Sequence, residues 1–177
     1  MRMRLSVVGK AHEAAAGAES FGWFVYGSSL DAEAFLAWCK EHGYECPDLA
    51  AGVPVRLANH TLSFDVMSRF WGGAVASLRP EPNAAVEGLL LKMPKEGKGL
   101  VEHKEGVISG LFVGKQVRVT KLDGSDEEAA WAFVSAEDRR LSQPAAPSRR
   151  FVETVLRGAR HFGFSPAYLQ ELESKLR

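Results

Sequence analysis

Two short stretches of this chain carry residue types that could do chemistry. The first is Phe24-Val25-Tyr26-Gly27-Ser28-Ser29-Leu30, an apolar, β-prone run that breaks at a glycine and passes through two hydroxyl residues into a helical pattern. A strand that ends this way at a helix start exposes unpaired backbone N–H groups and the positive end of a helix dipole, a setting for a carboxylate or a phosphate. The second is Glu102-His103-Lys104-Glu105-Gly106-Val107-Ile108-Ser109-Gly110, where the Glu105 carboxylate stands between a polar segment and a Gly-Val strand start. Taken singly these residues have plain structural readings. Glu105 is one acid among 22, Tyr26 a strand aromatic, Ser28 and Ser29 helix caps, and Trp71-Gly72-Gly73 a glycine bend before a strand.

The elements that must position them follow from pattern. Phe21 to Tyr26 reads as a strand, and residues 1–20, Ala-rich and without a clear period, read as an N-terminal arm ahead of a domain over 21–177. Ser28-Ser29-Leu30-Asp31 has capping-box spacing, and a helix starts near Asp31. It carries Leu30, Ala34, Phe35, Ala37 and Trp38 on one side and ends near Gly43. Segments near 53–58, 61–67, 73–79 and 85–92, rich in Val, Leu and Phe, predict antiparallel strands with turns at Asn59-His60 and Pro82-Asn83. Lys95 to Lys104 predicts a short helix or loop. Strands over about 110–121 and 129–135 follow, joined through Asp123-Gly124. Ser148 is placed to cap a helix with Phe151, Val152, Val155, Leu156 and Ala159 on its core face; Gly163 stops it and Ser165-Pro166 starts the last helix. One early helix, a run of strands and two late helices define an α+β single domain, not an alternating parallel fold.

Composition bounds the function. With 177 residues, 46% hydrophobic and 25% charged, the chain is one ordinary globular domain with room for a core. Twenty-two acids balance 22 bases, so no net field draws nucleic acid or an anionic membrane. No apolar run approaches membrane-spanning length. Leu5-Ser6-Val7-Val8 is too short for a signal-peptide core, which makes a cytoplasmic location the expectation. Cys39 and Cys46 lack Cys-x-x-Cys spacing and read as reduced thiols. His12, His42, His60, His103 and His161 are scattered without ligand spacing, so no metal site is expected. There is no Walker loop, Gly-x-Ser-x-Gly elbow or Rossmann fingerprint.

In order along the chain, Val25-Tyr26-Gly27-Ser28-Ser29-Leu30, Trp71-Gly72-Gly73-Ala74-Val75-Ala76, Val86-Glu87-Gly88-Leu89-Leu90, Glu105-Gly106-Val107 with Ser109-Gly110-Leu111-Phe112, Pro147-Ser148, Gly158-Ala159 and Gly163-Phe164-Ser165-Pro166-Ala167-Tyr168 resemble the γ-glutamylcyclotransferase-like (AIG2-like) family. The resemblance spans residues from about 21 to 172. It implies a mixed, largely antiparallel barrel-like sheet with flanking helices. It also implies a cofactor-independent enzyme that converts a γ-glutamyl amide to 5-oxoproline and a free amine. Glu105 is then the acid/base, and Val25, Tyr26, Gly27, Ser28, Ser29 and Leu30 form the substrate loop, with Phe112 and Phe151 as candidate pocket walls. The chemistry suits these residue types, because the substrate's own α-amine must lose a proton to attack its γ-carbonyl.

The chain departs from the family pattern at four positions. Ser29 stands where the loop has asparagine, and Phe112, Phe133 and Phe151 stand where relatives often carry tyrosine. Ser29 keeps a hydroxyl but loses the amide, and Phe112 and Phe151 predict a pocket that selects by shape and favours a bulky or less polar γ-glutamyl amine over small, polar γ-glutamyl amino acids. The missing hydroxyls also favour a second reading, a non-catalytic module that binds γ-glutamyl-like small molecules, whereas the retained Glu105 favours the enzyme. A purely structural domain is the third reading, and the ordered motifs weigh against it. A homodimer is left open.

Overall fold

The computed structural model describes residues 19–175. The arm expected over residues 1–20 therefore lies outside the described residues except for Glu19 and Ser20, and Ser20 already belongs to the first strand, β1 (Ser20–Val25). Trp23, Phe24 and Val25 are buried in succession without alternation. Such a run needs cover on both faces of the sheet. The barrel supplies one side, and on the other the Trp23 ring meets Phe35 edge-on at 5.8 Å, on the first helix, α1 (Ala32–His42).

The four strands predicted between 53 and 92 are two long ones, β2 (Val53–Ser68) and β3 (Gly73–Pro94), paired antiparallel along their length. Asn59 and Asn83, predicted to turn the chain, instead take left-handed backbone angles of φ 58° and 64° at a register shift between Ala58 and His60. The Asn83 N–H donates to the Asn59 side-chain oxygen at 3.3 Å. Asparagine tolerates this region at little cost, so the strands bend together without reversing. β4 (Phe112–Lys121) and β5 (Glu127–Ser135) form the expected hairpin, with Gly124 at φ 82° in its turn. The order β1-β3-β2-β4-β5 closes into a barrel through a parallel pairing of Trp23 with Trp131. The other seam is also short, with β2 and β4 paired antiparallel at Val55–Lys121 and Arg56–Thr120. The predicted α+β class with a mixed barrel and flanking helices is the one observed.

Asp31, not Ser28, caps α1, its Oδ1 accepting from the Ala34 N–H at 2.8 Å. Ser28–Leu30 forms a separate 3-10 turn with no side-chain cap. The buried stripe of α1 is Phe35 and Cys39, with Ala34 and Trp38 half-buried; Ala37, expected on that face, is exposed. Gly43 ends the helix at φ 73°. α2 (Lys98–Lys104) precedes a turn over 105–111, so the strand expected from about 110 starts at Phe112.

Ser148 caps α3 (Arg149–His161) through the Phe151 N–H at 3.2 Å, and Ser165 caps α4 (Pro166–Lys175) through that of Tyr168. Buried Glu87 of β3 holds this second cap, accepting from Ser165 Oγ at 2.6 Å and its N–H at 2.7 Å.

α3 presses directly on the Ser28–Leu30 turn. A methyl group added to Gly158 would sit 2.5 Å from the Leu30 Cβ and carbonyl carbon. Beside it Arg157 pairs with Asp31. In an unobstructed helix Gly→Ala stabilises by up to about 1 kcal/mol. Here the contact reverses the sign: Gly158→Ala should cost about 1–3 kcal/mol of overpacking and lower the melting temperature by several degrees. Thermal circular dichroism reads this, and a raised melting temperature would contradict the close approach.

Candidate functional site

Tyr26 follows the end of β1 with its side chain buried, and its hydroxyl donates to the Phe133 carbonyl of β5. Burial, followed by the negative charges of Glu105 and Asp65, pushes its pKa well up. The phenol is thus a fixed, neutral donor. In the next turn the Leu30 N–H closes on the Gly27 carbonyl at 3.1 Å and the Asp31 N–H on that of Ser28 at 3.2 Å. The N–H groups of Ser28 and Ser29 have no protein acceptor among the described residues. The start of α1, expected to offer its dipole to a ligand, is occupied by the chain's own Asp31 carboxylate.

Glu105 is placed by the way α2 ends. It is the last residue before Gly106, which takes φ 75°; the Gly106 N–H donates to the His103 carbonyl at 3.2 Å and the Val107 N–H to that of Glu102 at 2.9 Å. This is a Schellman end, and its left-handed position suits glycine. The Glu-Gly-Val motif is therefore a helix stop, not the start of a strand. Ser29 Oγ donates to Glu105 Oε1 at 3.1 Å across 76 residues of sequence. Burial raises the Glu105 pKa, while the Lys104 charge and the Ser29 hydrogen bond pull it part of the way back.

Both segments open on one cavity of about 430 Å³. Tyr26, Gly27, Ser28, Ser29, Glu105, Phe112 and Phe151 all line it. Val25 and Leu30 do not: Val25 is buried in the sheet core and Leu30 lies under Gly158. The Phe133 ring lines a different cavity with Phe21 and Trp131, and only its carbonyl reaches Tyr26.

Other walls were not singled out from the sequence. Trp38 stacks between His42 at 4.3 Å and Tyr44 at 5.6 Å, with His103 edge-on at 5.1 Å. Lys104 Nζ lies 5.6 Å from the Trp38 ring centre. Phe70 and Trp71, bracketing the Arg150 guanidinium, line the cavity as well, and Trp71 packs edge-on against Phe151 at 5.4 Å. His103 and Lys104 adjoin Glu105 on α2, a signal available in the sequence; nothing local marks Phe70 or His42.

Cys39 and Cys46 are free thiols, and burial with the adjacent Cys46 pushes the Cys39 pKa up to about 12. Among the described residues no group of three His, Cys, Asp or Glu side chains is arranged to hold a metal ion. None of their helices is long and apolar enough to cross a membrane.

A closed five-stranded mixed barrel with helices packed about it is the γ-glutamylcyclotransferase fold. A solved structure described as a gamma-glutamyl cyclotransferase matches with a TM-score of 0.72 at 25% identity, over 88% of this chain and 88% of that one. YkqA from Bacillus subtilis shares the fold with a TM-score of 0.71 at 22% identity, over 89% of this chain and 54% of that one. The AIG2-like family model matches residues 85–172. The human and mouse proteins named gamma-glutamylcyclotransferase are 27% and 25% identical over 160 residues, 88% of this chain and 79% of each relative. The chain belongs to the γ-glutamylcyclotransferase-like, AIG2-like family.

The surroundings of Glu105 make a direct prediction. Its carboxyl should titrate above the value of about 4.3 for an unhindered glutamate. Ser29→Ala should move it further up, because the lost hydrogen bond favoured the anion. A carboxyl-carbon NMR titration of both proteins checks this, and a downward shift in the variant would contradict the assigned contact.

Proposed function

We propose that this protein is a γ-glutamylcyclotransferase-type enzyme, acting on a small-molecule γ-glutamyl amide with Glu105 as its general acid/base. The observation that carries the reading is the hydrogen bond joining Ser29 of the turn to Glu105 at the wall of one cavity. Family membership and the relatives named gamma-glutamylcyclotransferase support the reaction class.

The glutamyl group lies against the turn over Gly27–Ser29, whose free N–H groups donate to its carboxylate or to the oxyanion that develops on the γ-carbonyl. The Glu105 carboxylate takes a proton from the α-amine as that nitrogen attacks the γ-carbon. The tetrahedral intermediate then collapses: the C–N bond to the leaving amine breaks, Glu105 returns the proton to that nitrogen, and 5-oxoproline is released. Ring closure is intramolecular, and holding the substrate folded contributes roughly 7–11 kcal/mol toward the barrier. A raised pKa makes Glu105 a stronger base than an ordinary carboxylate while leaving it a usable acid for the second step.

Glu105→Gln keeps shape and removes basicity. Release of 5-oxoproline from a panel of γ-glutamyl compounds should fall by about 10²–10⁴-fold, with far-ultraviolet dichroism unchanged. A variant that turned over at the wild-type rate would assign the base elsewhere. Phe112 and Phe151, which bring no hydroxyl to the cavity, favour the binding-module reading. Ligand binding with no turnover of any compound in the panel by the unmodified protein would decide for it.

A further inference from the structure

The cavity extends beyond what a glutamyl group needs, and the extension has a chemical character of its own. With the glutamyl moiety on the turn and its γ-carbonyl at Glu105, the leaving amine's substituent must run outward. On one side it meets Trp38 with Lys104 over its ring face; on the other it meets Phe70 and Trp71. Phe70 is 59% and Ile108 70% exposed, so the mouth presents apolar surface to solvent. Such surface suits a bulky side chain.

Lys104 is the unexplained group. It is half-buried, it lines the cavity, and among the described residues no carboxylate lies within ion-pair distance of it. Its nearest favourable contacts are the ring faces of Trp38 and Phe35, at 5.6 and 6.0 Å. A desolvated ammonium without an anionic partner costs free energy that an incoming anion would recover. Glu105, its neighbour in sequence, favours the Lys104 charge through space but forms no close ion pair with it. The other titratable side chains beside it are Glu41 and His42, both exposed, and half-buried His103, whose Nδ1 is hydrogen-bonded with the Tyr44 hydroxyl at 3.1 Å.

We infer that Lys104 is a specificity residue that binds the carboxylate of the leaving group, with the leaving group's side chain held between Trp38 and Phe70. This rests on the cyclotransferase reading and narrows it to γ-glutamyl amino acids with bulky, apolar or aromatic side chains. Phe112 and Phe151 in the cavity wall predict apolar selectivity; Lys104 adds a requirement for an anion that those positions do not reveal.

The test uses two probes that differ only in that anion, γ-glutamylphenylalanine and γ-glutamylphenethylamine. The unmodified protein should prefer the carboxylate-bearing probe in kcat/KM by about tenfold or more, the range of a charge-assisted hydrogen bond. Lys104→Met should abolish that preference, and Lys104→Arg should keep most of it. The ratio is the readout because losing the Lys104 charge also shifts Glu105, an effect common to both probes. Equal probes in the unmodified protein, or a ratio unmoved by Lys104→Met, overturns the assignment. A loss shared equally by both probes assigns Lys104 to the glutamyl end and likewise overturns it. Calorimetric binding of both probes to Glu105→Gln, with and without Lys104→Met, gives the same comparison independently of turnover. If no 5-oxoproline forms from either probe, the cyclotransferase reading fails. The binding ratio then decides the carboxylate subsite alone.

Discussion

The geometry of the site depends on how closely α3 approaches the turn after β1. Gly158 leaves no side chain between the helix backbone and Leu30, and Arg157, one residue earlier, reaches Asp31. Asp31 divides its two oxygens: one caps α1 through Ala34, the other takes the arginine. A single carboxylate thus fixes where α1 begins, how the Ser28–Leu30 turn is held, and where Trp38 falls two helical turns later. Without that contact the turn would be an ordinary strand-to-helix connection with no reason to keep its N–H groups facing a cavity.

Glu105 is set from the other direction by a backbone device. The left-handed Gly106 stops α2 and folds the 106–111 segment back, with the Leu111 and Phe112 N–H groups donating to the Gly106 carbonyl at 3.1 and 3.3 Å. The carboxylate is left at a helix end beside the cavity. Its protonation is a balance of opposed effects: desolvation disfavours the anion, while Ser29 and Lys104 favour it. The same burial acts oppositely on Lys104, lowering its pKa, and Glu105 resists that shift. Adjacent residues of opposite charge in one half-buried place therefore restrain each other without forming a close ion pair.

Local signals read well wherever one short segment decides the outcome. The Asp123-Gly124 hairpin, the Ser148 and Ser165 caps and the Gly43 stop are observed where predicted, because each is settled by the conformational preference of one or two residues. Structure and local pattern differ where two residues compete for one role. Ser28 and Asp31 both suit a helix cap, and the Arg157 contact from α3 selects Asp31. Asn59 and Asn83 both suit turns, but facing each other across two long paired strands they make a shared bend.

The sequence by itself determined the α+β class, most of the elements, and the two segments that meet at the site, since strand pattern, glycine stops and the Tyr-Gly-Ser-Ser and Glu-Gly-Val motifs are local properties. Only the tertiary structure decided that the barrel brings Ser29 to 3.1 Å from Glu105, 76 positions further along the chain. It also decided which pattern-matched neighbours are excluded: Val25 and Leu30 are buried in the core, and Phe133 contributes a carbonyl in place of its ring. Trp38, Phe70 and Lys104 share a cavity although they come from three distant segments. Burial and through-space charge depend on which atoms surround a group, and linear spacing carries no record of that.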